Sequence, residues 1–206
     1  MNRVFIIDAL WPSAESQNLI RNISIILIGT ILLTISAKIK IPIPPVPVTL
    51  QTLVVLVFAS AVGWKFAVSS FLFYLFLAFI GLPVFATPPY GGPAYFIGPA
   101  VGYLIGMLLA SFIVGYLAEK NYDKNYFNSL GVIFIGTVVI FIPGLFWLGM
   151  WYNFLSSSAS DLNYIQSYAK ALNNGLLIYK FTEPVKVALA ASITPLLWQY
   201  INIKKK

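Results

Sequence analysis

The stretch from Leu130 to Trp151 reads LGVIFIGTVVIFIPGLFWLGMW and has no charged side chain in 22 residues. A helix needs about 20 apolar residues to cross the hydrocarbon core of a bilayer, so this stretch predicts a transmembrane helix. Five further stretches meet or approach that length, and they run over residues 23–37, 50–62, 64–82, 97–118 and 176–198. We therefore predict an all-α integral membrane protein with six transmembrane helices.

The composition excludes a soluble monomer. Hydrophobic residues make up 59% of the 206 residues and charged residues 9%, whereas a soluble domain carries about 25% charged residues. The chain has no cysteine and no histidine, which removes thiolate and imidazole catalysis and the usual ligands of zinc, copper and haem. We expect no catalytic residues, no cofactor and no metal site.

Lysine and arginine residues predict the orientation, because they concentrate in cytoplasmic loops. If the N-terminus is inside, the inner segments hold eight of them and the outer loops hold three, namely Lys38, Lys40 and Lys170. Both termini are then cytoplasmic. Residues 1–22 form a cytoplasmic or interfacial segment, 23–200 the membrane domain and 201–206 a basic tail. The net charge of +7 fits anionic lipid and gives no reason to expect nucleic acid.

A proline-rich stretch from Ile41 to Thr52 joins the first two predicted spans on the outer side. Prolines lack an amide hydrogen and restrict the preceding residue, so this stretch is predicted to be extended. Thr49, Gln51 and Thr52 then offer hydrogen bonds where the second helix starts. The stretch is either part of a ligand site or a rigid connector with a helix cap.

The loop over residues 81–96 carries no charge and is rich in glycine, proline and aromatic residues. A solvated loop would be polar, so we interpret this one as a lid over an apolar cavity, with Gly91 and Gly92 allowing sharp turns or close approach to a ligand. The alternative is a loop folded against the protein for stability alone.

Small residues then recur at every fourth position. This stripe consists of Gly98, Gly102, Gly106 and Ala110. Such a stripe lets another helix approach closely, so it predicts packing against a neighbouring span or a partner subunit.

Charged residues interrupt the sixth predicted span. Glu183 and Lys186 are three residues apart and share a helix face, and Pro184 between them is expected to open the helix locally. Charges inside a membrane span are costly and usually functional. They either bind a ligand or neutralise each other inside the bundle.

Four stretches together carry a resemblance to a known family, and they are residues 45–52 (PVPVTLQT), 81–86 (GLPVFA), 98–104 (GPAVGYL) and 186–191 (KVALAA). They resemble the substrate-binding S component of energy-coupling-factor biotin transporters, the BioY family. The resemblance implies a six-helix subunit that binds biotin from outside and docks on a transmembrane coupling subunit with two cytoplasmic ATPases. Thr182 and Glu183 stand where the family usually has Gly-Asp, and Ala100 stands where it usually has Thr.

The resemblance also implies roles for individual residues. Glu183 would accept a hydrogen bond from a ureido N–H of biotin, with Lys186 beside it, and Gln51 and Thr49 would add polar contacts. Phe85, Tyr90 and Tyr103 would cover the apolar rings. Another small vitamin or its precursor is the nearest alternative, and two other classes are a membrane enzyme acting on lipid and a structural or channel-like membrane protein. An enzyme acting on lipid would need clustered acids or a metal site.

Overall fold

The computed structural model describes residues 6–7, 18–155 and 163–204. Within these ranges there are seven helices of 12 or more residues, which are α1 (Asn18–Lys38), α2 (Gln51–Val62), α3 (Trp64–Phe79), α4 (Val101–Glu119), α5 (Tyr126–Met150), α6 (Tyr164–Gly175) and α7 (Thr182–Lys204). Short 3-10 turns cover Pro93–Ile97 and Leu177–Lys180, and a π-helical turn covers Trp151–Leu155. The helical fold class is confirmed.

Six of these helices overlap the six stretches that were predicted as spans. Three described segments are long and apolar enough to cross a membrane, and they are Leu19–Lys38, Val101–Glu119 and Tyr126–Leu155. α2 and α3 are equally apolar but have only 12 and 16 residues. At 1.5 Å per residue, α2 extends about 18 Å, which is short for the hydrocarbon core.

Several predicted helix ends were wrong; the fourth helix, for example, was predicted from residue 97 but begins at Val101. The third helix was predicted to reach residue 82, but it ends at Phe79 because Gly81 adopts a φ of 100°, which a helix does not allow. The sixth was predicted to begin at residue 176, but α7 begins at Thr182 after a separate 3-10 turn.

Two residues of the small-residue stripe, Gly102 and Gly106, pack α4 against α5, whereas Gly98 lies before α4 and faces the Tyr95 carbonyl. A Cβ atom at Gly106 would lie 2.7 Å from the Cα atom of Ile140, and one at Gly102 would lie 3.0 Å from the Cα atom of Gly144. Ala110, one further step along, is fully buried. The two backbones therefore approach as closely as the stripe predicted, and its contact is with a neighbouring helix of the same chain.

The proline-rich stretch is extended, as predicted. It forms a two-stranded antiparallel ribbon in which β1 (Lys40–Ile41) pairs with β2 (Val48–Thr49). Lys40 lies opposite Thr49. The ribbon brings its prolines back over the bundle and starts α2 two residues after Thr49, so the polar side chains at this junction point into the molecule.

The helix α6 was not predicted, because its segment is too polar for a span. It begins with a capping box, in which the Asn163 side chain accepts a hydrogen bond from the backbone N–H of Gln166 at 2.9 Å and the Gln166 side chain accepts one from the Asn163 N–H at 3.0 Å. The Asn-x-x-Gln spacing was visible in the sequence. α6 packs along α5 and ends at Gly175.

Candidate functional site

A cavity lies between the ribbon, the loop over residues 81–96 and α2, α3, α4, α5 and α7. Its lining combines a polar corner with an apolar, aromatic wall. The lining residues are Val46, Pro47, Thr49, Gln51, Thr52, Tyr74, Phe85, Ala86, Tyr95, Ala100, Tyr103, Leu104, Met107, Phe141, Tyr179, Glu183 and Lys186.

The polar corner is an ion pair between Glu183 and Lys186. Both residues are buried, with 7% and 8% of their surface exposed, and the ammonium group contacts carboxylate oxygen Oε1. Lys186 also donates hydrogen bonds to the Thr49 carbonyl and the Thr52 hydroxyl, each at 2.9 Å. The Thr52 hydroxyl in turn donates to Glu183 Oε2 at 3.4 Å. Two buried charges are thus held by partners from α2 and the ribbon.

The start of α7 explains how this pair reaches the cavity. Thr182 is the first residue of α7, which puts Glu183 and Pro184 in the first turn. A proline is tolerated there because the first backbone N–H groups of a helix have no intrahelical partner. Pro184 therefore stands at the beginning of a helix and does not open a continuous one, which corrects the prediction. The carboxylate of Glu183 also benefits from the positive end of the helix dipole.

Gln51 adds a buried donor to the same corner. It is the first residue of α2 and only 4% of its surface is exposed. Its side-chain nitrogen makes no hydrogen bond within the part of the chain that the structure describes. A buried amide without a partner is costly, so a residue that lines a cavity in this way is suited to meet a polar ligand.

Three aromatic side chains form the wall on the loop side. The Phe85 ring stacks on Tyr95 with ring centroids 4.0 Å apart and meets Tyr74 edge-on at 5.5 Å. Burial raises the pKa of the Tyr95 hydroxyl, and its hydrogen bond with Thr87 only partly opposes this. Tyr95 therefore stays neutral at physiological pH, and this wall offers apolar faces to a ligand.

A second aromatic group closes the cavity beside the ion pair. Tyr103 meets Phe141 edge-on with centroids 5.7 Å apart, and Phe141 meets Tyr179 at 5.5 Å. The Tyr103 hydroxyl donates to the Gly175 carbonyl at 2.8 Å, and the Tyr179 hydroxyl donates to the Val46 carbonyl at 2.9 Å. These bonds fix the rings and tie α4 to the end of α6 and the 3-10 turn to the ribbon.

The structure brings together six of the nine predicted ligand residues, namely Glu183, Lys186, Gln51, Thr49, Phe85 and Tyr103. Tyr90, Gly91 and Gly92 do not line the cavity. Gly92 has a φ of 90° and shapes the loop, while the Tyr90 ring lies beneath the Lys38 and Lys40 ammonium groups.

Sequence analysis missed several lining residues, including Tyr74, Tyr95, Phe141 and Tyr179. Tyr95 lies within the uncharged loop, so the aromatic content of that loop could have indicated it. Tyr179 lies four residues before Glu183. Tyr74 and Phe141 lie in apolar helices, where neither composition nor periodicity separates a lining residue from a core residue.

Fold and cavity together define a helical, multi-pass membrane protein with a cavity that is polar at one corner and apolar along its aromatic wall. The family model of the BioY family matches residues 10–203. The chain belongs to the BioY family, as its sequence motifs predicted.

Relatives and a solved structure agree with this assignment. The chain is 34% identical over 166 residues to the biotin transporter BioY of Thermotoga maritima, covering 81% of this chain and 89% of that protein. It is 31% identical over 186 residues to the probable biotin transporter BioY of Rickettsia prowazekii, covering 88% and 84%. The fold is similar to the crystal structure of the S-component for biotin from an ECF-type ABC transporter, with a TM-score of 0.72, 26% identity and coverage of 91% of this chain and 95% of that one.

Proposed function

We propose that this chain is a biotin-binding S component that takes up biotin across the cytoplasmic membrane of a bacterium. It acts as a transport subunit and not as an enzyme. The observation that carries the proposal is the buried Glu183–Lys186 pair at the end of an aromatic-lined cavity. Charges buried next to a cavity in a membrane protein serve a ligand more often than they serve stability.

The chemistry of biotin matches both parts of the cavity. Its fused ureido ring has two N–H donors and one carbonyl, so a carboxylate such as Glu183 can accept from it and the unpaired amide of Gln51 can donate to its carbonyl. Its sulfur-containing ring is apolar and suits the wall of Phe85, Tyr95 and Tyr103. The Lys186 ammonium contacts the Glu183 carboxylate, and an ionised carboxylate makes stronger hydrogen bonds than a neutral acceptor.

The proposed topology has six spans, α1 to α5 and α7, with both termini cytoplasmic. Residues 23–200 then form the membrane domain, flanked by the segment 1–22 and the tail 201–206. The count of eight inner against three outer basic residues supports this orientation. It puts the ribbon, the loop over residues 81–96 and the cavity on the outer side, where the vitamin arrives.

Energy for transport must come from other subunits. The sequence has no Gly-x-x-x-x-Gly-Lys-Ser/Thr phosphate loop, which supports docking on a transmembrane coupling subunit driven by cytoplasmic ATPases. α1 carries exposed apolar side chains along its length, among them Leu19, Ile23, Leu27, Ile31 and Ile35. An apolar helix face of this kind can be covered by lipid or by a helix of the coupling subunit.

Titration calorimetry on the detergent-solubilised protein tests the proposal. We expect saturable binding of biotin at one molecule per chain and no binding of thiamine or riboflavin. Glu183 is one methylene longer than the Asp usual in the family, and this difference could change which ligand is preferred. A biotin precursor without the sulfur ring is therefore the competitor to test against biotin. Binding of another vitamin in preference to biotin would overturn the assignment of the ligand.

A further inference from the structure

Two lysines reach from the end of α1 and from the ribbon to the backbone of the uncharged loop. The Lys38 ammonium donates to the Phe85 carbonyl at 2.6 Å, and the Lys40 ammonium donates to the Ala86 carbonyl. These are hydrogen bonds from a charged donor, the stronger kind. They join residues that are 47 and 46 positions apart in the sequence.

The same two lysines also hold Tyr90, which the ligand cavity does not use. Its ring centroid lies 4.7 Å from the Lys38 ammonium and 5.6 Å from the Lys40 ammonium. Tyr90 has a φ of 64°, and its carbonyl accepts a hydrogen bond from the Phe85 N–H at 2.9 Å. The lysines therefore contact the loop at two carbonyls and one aromatic face, and the loop itself supplies no charge in return.

The carbonyls that receive these bonds belong to residues of the cavity wall. Phe85 is 1% exposed and Ala86 is 6% exposed, and both line the cavity. The backbone at Phe85 and Ala86 cannot move away from the cavity without breaking the bonds from Lys38 and Lys40. Opening of the loop at this point therefore costs the free energy of both lysine bonds.

We propose that Lys38 and Lys40 are positioning residues that clamp the loop over residues 81–96 against the ligand cavity and so set the residence time of the bound ligand. This inference rests on the proposed function, because it presupposes that the cavity holds a ligand. The lysines act through the loop backbone and not by contact with the ligand. Their removal is expected to speed both entry and exit of the ligand.

Exchange of radiolabelled biotin against unlabelled biotin in detergent measures the exit rate. In the double variant Lys38→Met/Lys40→Met we expect the exit rate to rise about 10-fold, since two charge-assisted hydrogen bonds are lost. The Lys38→Arg/Lys40→Arg variant should restore slow exit. Lys170→Met is the matched control. The Lys170 ammonium, on α6, lies 4.8 Å from the ring centroid of Tyr152, a similar contact that does not involve the loop.

A neutral derivative of biotin, its methyl ester, separates the clamp from direct recognition of the carboxylate. The clamp requires the exit rates of biotin and of the ester to rise by the same factor. A rise for biotin alone would overturn the proposal, because the lysines would then bind the carboxylate. Unchanged exit of both ligands would also overturn it. Failure of the unmodified protein to bind biotin at all would count against the proposed function instead.

Amide hydrogen exchange gives a readout without ligand. The Gly92 N–H donates to the Ala78 carbonyl at 2.7 Å and the Tyr90 N–H to the Thr87 carbonyl at 2.8 Å. In the double Met variant these loop amides should exchange several-fold faster, while those of α4 keep their rate. Equal acceleration in both places would indicate general destabilisation and would contradict a local clamp.

Discussion

The two sides of the cavity are built on opposite principles. The polar corner depends on one carboxylate, one ammonium and a few directed hydrogen bonds, and each group has a specific partner. The aromatic wall depends on rings that each touch several others, as Phe85 touches both Tyr74 and Tyr95. Loss of a group in the corner leaves a buried charge without its partner, whereas loss of one ring leaves the others in place.

The difference should appear as unequal sensitivity to substitution. Breaking a buried ion pair by removing one partner costs about 3–5 kcal/mol, while one aromatic pair contributes about 0.5–1.5 kcal/mol beyond its buried area. We therefore expect the corner to determine whether the ligand binds and the wall to adjust how tightly it binds.

The largest effect is expected for Lys186→Met. This change leaves the Glu183 carboxylate buried without its counter-charge and removes the bonds to Thr49 and Thr52. We expect a loss of biotin affinity of at least about 100-fold and a lower thermal unfolding temperature, on a cost of about 3–5 kcal/mol. Titration calorimetry and thermal unfolding in detergent measure the two effects.

The double variant Glu183→Gln/Lys186→Met provides the control for that experiment. Since it removes both charges, it should unfold at a higher temperature than Lys186→Met alone while still failing to bind biotin. If the double variant were the less stable of the two, the corner would not behave as a buried ion pair.

Glu183→Asp is expected to have the next largest effect. The shorter side chain retreats by one methylene from the Lys186 ammonium and from the Thr52 hydroxyl, which is already 3.4 Å away. We expect biotin to bind about 10-fold more weakly, the effect of weakening a charge-assisted hydrogen bond. Glu119→Asp, at the last residue of α4, should leave affinity unchanged. Tighter binding by the Asp variant would show that this corner is not adapted to Glu.

Part of this contrast could be predicted from the sequence. A membrane-spanning helix needs a long apolar stretch, and such stretches predicted six of the helices. Glu183 and Lys186 stood out because charge is rare inside such runs. The prediction that Gln51 and Thr49 belong with them came from the family motif and from the polar start of a helix after prolines.

The rest depends on tertiary contacts that no local pattern carries. Tyr74 and Phe141 face the cavity only because α3 and α5 turn those sides inward, and both lie in helices that are apolar all round. Tyr90 was predicted to cover the ligand, yet two lysines distant in sequence hold it elsewhere. The start of α7 at Thr182 likewise follows from the 3-10 turn before it.

On the aromatic side, Tyr103→Phe tests the hydrogen bond that anchors the Tyr103 ring. The variant keeps the ring but leaves the buried Gly175 carbonyl without the Tyr103 hydroxyl. We expect about a 5-fold loss of biotin affinity, on a cost of about 1 kcal/mol. Tyr116 lies on the same helix with 42% of its surface exposed, so Tyr116→Phe serves as the matched control. A 100-fold loss of biotin affinity would show that Tyr103 is as important for binding as the residues of the polar corner.

Phe85→Leu should have the smallest effect and therefore tests the comparison most directly. Leucine keeps an apolar side chain against Tyr74 and Tyr95 but loses the stacked and edge-on ring contacts. The remaining rings still enclose the ligand, so we expect affinity for biotin to fall only about 3-fold. Phe127→Leu, at a side chain that is 82% exposed, controls for the substitution itself. If Phe85→Leu abolished binding as Lys186→Met does, the wall would not be redundant, and the distinction between the two sides of the cavity would fail.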